Sequence, residues 1–200
     1  MKKIYFVSLA LFSVVMVSAQ DFTKRLSEAR TSYAAGKLDD SRFAMQQMLQ
    51  ELDILTGKEV LKLLPQKMLD QSVRAGQDNV SGASGFVGVL IHREYGGKAA
   101  YDSTAIQLDI ISNSPLIGTI NALLSLPFGM GSNPDQKIVK VNGYKALLSK
   151  TSGSNDKPEF ELQLPLNNSL ITLKAPGRSQ DDILKAANTL PVSDIAKLTQ

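Results

Sequence analysis

The chain has 200 residues, among them 22 Lys and Arg, 19 Asp and Glu, one His, and neither Cys nor Trp. Without cysteine it can form no disulfide bond, zinc–thiolate site or iron–sulfur cluster, and it has no thiol nucleophile. The formal net charge of +3 provides little excess of basic groups to neutralise phosphates. We therefore expect no nucleic-acid partner and a fold that its own core must stabilise.

The first 19 residues have the layout of a secretory signal peptide. Lys2 and Lys3 precede an apolar run over 4–17, and Val17-Ser18-Ala19 places small residues at the cleavage site. The run is shorter than the ~20 residues that span a bilayer. We predict cleavage after Ala19 and a periplasmic or secreted protein; a retained membrane anchor and a cytosolic protein are the alternatives. Cleavage would leave 20 basic and 19 acidic residues.

Residues 20–65 are predicted to form a helical hairpin. Phe22, Leu26, Ala29 and Tyr33 recur at helical spacing, and Gly36 interrupts the pattern. The second helix is expected to end near Leu55. A capping-box pattern over 56–59 then predicts a short third helix at 58–64, before Pro65. The expected apolar face of the second helix consists of Phe43, Ala44, Met48, Leu49, Leu52 and Leu55.

This hairpin resembles a single tetratricopeptide unit. The resemblance rests on the small, aromatic, glycine and apolar residues Ala29, Tyr33, Gly36, Met45, Met48 and Leu49. Ser41 departs from it, because that family prefers alanine there, and no second copy of the motif follows. The resemblance implies a hairpin that packs on its own domain or on a partner protein; the alternative is a plain helical hairpin.

The remainder of the chain predicts an α+β fold. Residues 66–85 are polar and rich in small residues, which favours a linker before a domain over 86–200. Alternating apolar and polar residues and hairpin turns such as Asn142-Gly143 predict an antiparallel sheet of about six strands in the order ββαββββα, with helices on one face. The six candidate strands are Phe86–Tyr95, Ala100–Ile111, Lys137–Val141, Tyr144–Lys150, Glu159–Pro165 and Ser169–Ala175.

In layout, the whole chain resembles a family of small exported bacterial proteins of unknown activity. The likeness rests on Asn113-Ser114-Pro115-Leu116, on the segment over 141–146, and on a closing helix. That resemblance implies no activity.

The sequence predicts no catalytic, cofactor or metal site. His92 is the only histidine, and no carboxylates accompany it at metalloprotease or EF-hand spacing. We interpret it as a strand-end histidine near the sheet edge, with a ligand or a general base as the alternative. Glu159 and Glu161 are interpreted as part of a solvated sheet face.

Two regions are candidate ligand or partner surfaces. The nearly all-apolar stretch over 115–130 predicts a helix with Leu116, Ile120 and Leu123 on one face, followed by Phe128. It is expected to be a core helix, a partner or ligand surface, or a membrane contact. Arg93 and Tyr95 end an apolar strand and are expected to line the mouth of a groove, or else to extend towards solvent from the sheet end.

From these patterns we expect an exported, soluble, non-enzymatic binding or assembly module of the cell envelope. Two alternatives remain open. One is a carrier of an apolar ligand beneath the helix over 115–126, and the other is a hydrolase with an unrecognised site. The expected partner is another envelope protein or an apolar small molecule. We also expect no transmembrane segment in the mature chain.

Overall fold

The computed structural model describes residues 22–82, 88–97, 105–126, 134–152 and 158–199. The predicted signal peptide, Phe128 and the first residues of the two earliest predicted strands lie outside these ranges. The chain divides into two compact units, with the boundary between Asp53 and Ile54. Each unit is described by itself below.

The first unit is a helical hairpin. Helix α1 is described over 22–34, and helix α2 runs over Leu38–Leu63, so that its first part belongs to this unit. Gly36 adopts a φ of 74°, a left-handed conformation that glycine enters without steric cost and that ends α1. Ala29 and Ala44 are buried, and the buried Ser41 hydroxyl donates a 3.0 Å hydrogen bond to the Ala29 carbonyl. The hydroxyl is therefore satisfied where the tetratricopeptide pattern has alanine.

Helix α2 continues without a break past the residues where two separate helices were expected. Gly57 lies inside it and is buried. A Cβ atom at this position would lie 2.7 Å from Cγ1 of Val80 and 3.2 Å from side-chain atoms of Val89 and Ile91. Glycine is thus present because the helix approaches the sheet closely, and not because a helix ends there.

The second unit contains a seven-stranded antiparallel sheet, which confirms the predicted α+β class. Its strand order is β3-β4-β5-β9-β8-β7-β6, so among the strands that the structure describes only the β5–β9 pair joins strands that are distant in sequence. The strands are β3 (Asn79–Gly82), β4 (Val89–Tyr95), β5 (Ile106–Ser112), β6 (Gln136–Val141), β7 (Tyr144–Ser152), β8 (Pro158–Pro165) and β9 (Ser169–Lys174).

The stretch that we expected to be a linker contributes to this fold. It contains a two-stranded hairpin of β1 (Lys67–Met68) and β2 (Gln71–Ser72), a 3-10 turn over Ala75–Gln77, and strand β3. β3 pairs with β4 at the edge of the sheet. An edge strand has one free side and tolerates polar and small residues, which explains why the sequence of β3 does not alternate clearly.

Helices lie on both faces of the sheet. The register aligns Leu108, Leu173, Leu162 and Leu148 in one row across four strands. This inner face packs with the end of α2, with α4 (Gln180–Ala187) and with α5 (Val192–Leu198).

Helix α3 (Leu116–Ser125) packs instead on the outer face, against Leu147 and Leu170. Here the structure differs from the expectation of helices on one face. The reason is that the outer face of the sheet has a second apolar patch, which includes Leu147 of β7 and Leu170 of β9. In the described part of the chain, no helix is both long and apolar enough to cross a bilayer.

Candidate functional site

Arg93 and Tyr95 do not line an open groove. Both point to the inner face of β4, where they are 5% and 0% exposed. Arg93 binds the Asp78 carboxylate through two hydrogen bonds of 2.9 and 2.6 Å and donates a third, of 3.2 Å, to the Leu64 carbonyl. The expectation that this pair lines the mouth of a groove is therefore wrong. The end of α2 and the residues before β3 cover this end of β4. Arg93 therefore joins three segments of the fold.

The hydroxyl of Tyr95 is buried beside the Arg93 guanidinium and forms no well-aligned hydrogen bond with the described residues. Burial raises the pKa of Tyr95 to about 12, although the neighbouring Arg93 acts to lower it. At neutral pH the phenol is thus protonated.

The residues of the predicted apolar surface over 115–130 differ in how far they are buried. Ile120 is buried, and Leu123 is partly buried, in a small cluster between α3 and the outer face of the sheet. Leu116 at the start of α3 is half exposed. Phe128 lies outside the described residues. One face of α3 is therefore a core face, and Leu116 is the only exposed leucine or isoleucine of this helix.

A charged cluster on the outer face of the sheet was not predicted. His92 on β4 pairs in register with Asp109 on β5, and Glu94 follows two residues later on the same face. A bridge between Val73 and Tyr95, with a backbone hydrogen bond from Arg74 to Glu94, brings Arg74 beside them.

The distances show a continuous chain of charged groups. His92 Nδ1 lies 2.6 Å from Asp109 Oδ1, and His92 Nε2 lies 3.5 Å from Glu94 Oε1. Arg74 Nη1 donates to the other Glu94 oxygen at 3.1 Å. Alternation along β4 places His92 and Glu94 on one face, but only the register between β4 and β5 reveals Asp109.

This cluster has the chemistry of a structural ion network. The hydrogen bond to Asp109 raises the pKa of His92, burial opposes it, and Glu94 adds to the rise. An imidazolium ring donates from both nitrogens, and here each nitrogen faces a carboxylate. A general base needs a free nitrogen near the proton that it removes. His92 therefore lacks the geometry of a base beside a nucleophile.

A cleft lies beside β6 and β7 on the inner face of the sheet. Its volume is about 350 Å³ and it contains the side chains of Lys137 and Lys150. Lys137 donates a 3.2 Å hydrogen bond to Gln180 at the start of α4. The other lining residues are Pro134, Asp135, Leu148 and Phe160. The lining thus combines charged and apolar side chains.

The first unit exposes several large apolar side chains. Of the predicted apolar face of α2, Ala44 is buried and Met48 is half-buried, whereas Phe43, Leu49 and Leu52 are exposed. Tyr33 on α1, which was expected to share the helix–helix face, is 69% exposed. Four exposed residues of α2 form what we call the α2 seam: Leu38, Met45, Leu49 and Leu52. Large apolar side chains exposed together on one helix are typical of a protein-binding surface.

Comparisons with known proteins give no assignment. No protein-family model, curated protein or solved structure matches the chain. Among the described residues, no group of three or more His, Asp or Glu side chains is arranged to hold a metal ion. The resemblances to a tetratricopeptide unit and to a family of exported proteins stay predictions.

Proposed function

We propose that this chain is a non-enzymatic protein-binding or assembly module of the cell envelope, and that its helical hairpin carries the binding surface. The observation that supports the proposal most directly is the α2 seam, whose four side chains are 46% to 61% exposed. About half of each side chain is still exposed, so covering one of them on binding contributes about 1 kcal/mol. A partner protein would therefore gain substantially from this surface.

The chemistry of the polar residues favours binding over catalysis. The only histidine has both ring nitrogens directed at carboxylates, and the buried Tyr95 has a strongly raised pKa. These geometries give no support to the hydrolase alternative, since neither side chain is placed to act as a general base.

The close packing under α3 disfavours the alternative function, that of a carrier of apolar ligands. Ile120 and Leu124 are each 5% exposed and contact Leu147 and Leu170 directly. Ligand sites are concave cavities of ~300–1,000 Å³, whereas this space is filled by protein side chains.

The location in the envelope follows from the N-terminal sequence. The lysines, the apolar run and the small residues before Ala19 support export and cleavage. The intact mass of the chain purified from a periplasmic extract tests this part. Loss of residues 1–19 is the expected result, and a full-length mass in the cytosolic fraction would contradict it.

A capture experiment tests the binding function. The exported chain carries a C-terminal tag, is incubated with its own envelope extract, and the captured proteins are quantified by mass spectrometry. Leu49→Glu changes the α2 seam, and Leu116→Glu changes a leucine on α3 that is also at least half exposed. Capture that is lost with Leu49→Glu and retained with Leu116→Glu supports the proposal. Capture that only Leu116→Glu abolishes would assign binding to α3 instead.

A further inference from the structure

The α2 seam has the spacing of a helix-pairing surface. Leu38, Met45 and Leu52 are separated by seven residues each, and Leu49 lies four residues after Met45. At 3.6 residues per turn, the four side chains fall within about 60° of one another around the helix. A narrow apolar stripe that repeats every seven residues fits against another α-helix by knobs-into-holes packing.

Two charged residues of opposite sign lie beside the seam. In one orientation of a second copy, each would face the residue of opposite charge. Arg42 and Asp53 lie on the same side of the seam, about 60° to 80° round the helix from Met45. Neither side chain forms an ion pair with any residue that the structure describes. Burial alone raises the pKa of Asp53. The two groups are eleven residues apart, which is about 16 Å along the axis.

We infer that the α2 seam is the contact between two copies of this chain, whose α2 helices pair antiparallel across a two-fold axis near residues 48–49. This places Met45 opposite Leu52 of the second copy. Measured along the helix axis, Arg42 then lies within about 3 Å of Asp53 of the second copy. A two-fold axis forms both ion pairs at once. The inference rests on the proposed binding function and names its partner.

The parallel arrangement is disfavoured by the same charges. In a parallel pair with a two-fold axis along the helices, Arg42 of one copy and Asp53 of the other would stay about 16 Å apart along the axis. The ion pairs could then not form. Antiparallel pairing of two helical hairpins gives four helices around one apolar centre, which is a stable way to bury such stripes.

The association itself is tested with the exported chain by analytical ultracentrifugation over a concentration series. The expected species is a dimer. Leu49→Glu changes two seam positions per dimer and is expected to raise the dissociation constant at least about 100-fold. Phe43→Glu is the matched control, because Phe43 is also exposed but lies about 160° round the helix from Met45. A monomer at all concentrations, or equal loss with both variants, would overturn the inference.

The orientation is tested by disulfide cross-linking, for which a chain without cysteine is well suited. Leu49→Cys lies next to the axis and is expected to cross-link to itself under oxidation. Leu38→Cys would be about 31 Å from its counterpart in the antiparallel pair and is expected not to cross-link. Cross-linking of both variants would show a parallel pair and contradict the proposed geometry.

Charge reversal tests the register. Arg42→Asp and Asp53→Arg are each expected to weaken the dimer about tenfold, and the double variant is expected to recover most of that loss. Additive loss in the double variant would refute the pairing of these two groups. A monomeric chain that still captures another protein through Leu49 would overturn this inference and leave the proposed function intact. A dimer without any captured protein would confirm self-assembly.

Discussion

The ion pair between Arg93 and Asp78 offers a sharp test of how the second unit is held together. Arg93 is 5% exposed, and its three hydrogen bonds reach Asp78 and the Leu64 carbonyl. Asp78→Ala would leave a buried guanidinium without its carboxylate, which costs about 3–5 kcal/mol. The Asp78 side chain is 17% exposed, so water reaches the site and the lower end, about 3 kcal/mol, is expected. That is a large share of a stability of about 5–15 kcal/mol.

A double-mutant cycle separates the pair from the packing. In Arg93→Met the charge is replaced by an apolar side chain, and removal of both partners together is less costly than Asp78→Ala alone. Because the chain has no tryptophan, urea unfolding is followed by far-ultraviolet circular dichroism. With a slope of about 2 kcal/mol/M, Asp78→Ala is expected to lower the midpoint by about 1.5 M. The reasoning is refuted if the double variant shows the sum of the single losses, or if Asp78→Ala shifts the midpoint hardly at all.

Three further perturbations follow from the structure. The Asp109 hydrogen bond raises the pKa of His92, while burial opposes the rise and Glu94 adds to it. Protonated His92 therefore stabilises the folded chain fully below about pH 6.5, and this stabilisation is lost as pH rises through the raised pKa. Urea midpoints at pH 6 and pH 9 check this, and His92→Ala should remove the difference. Ser179→Ala deletes a capping box at the start of α4 and is expected to cost about 1 kcal/mol, measured by thermal unfolding against Ser193→Ala as an exposed control. Gly143 has a φ of 88° in the β6–β7 turn, so Gly143→Ala is expected to destabilise by about 1 kcal/mol; an unchanged melting temperature would contradict this.

The predictable parts of the fold are those that local sequence determines. The alternation in β8 and β9 predicts their buried faces because neighbouring residues of a strand point in opposite directions. Asn142 and Gly143 both have positive φ, which is the conformation that their dipeptide favours in a two-residue hairpin. Such features need no knowledge of distant residues.

The features that the sequence does not reveal depend on contacts across the fold. Gly57 suggests a helix end until Val80 is known to lie against it. Arg93 suggests a surface residue until Asp78 and Leu64 are placed beside it. The His92 cluster requires the register between β4 and β5, which alternation alone does not determine.

The two edges of the described sheet bear on how the chain behaves at high concentration. β3 is only four residues long, and β6 carries Lys137 and Lys140 along its length. Short edge strands and lysines discourage another chain from adding a strand, which is how natural sheets avoid aggregation. The sheet is thus protected against edge-to-edge growth, and larger assemblies of this chain are expected to form through its helices.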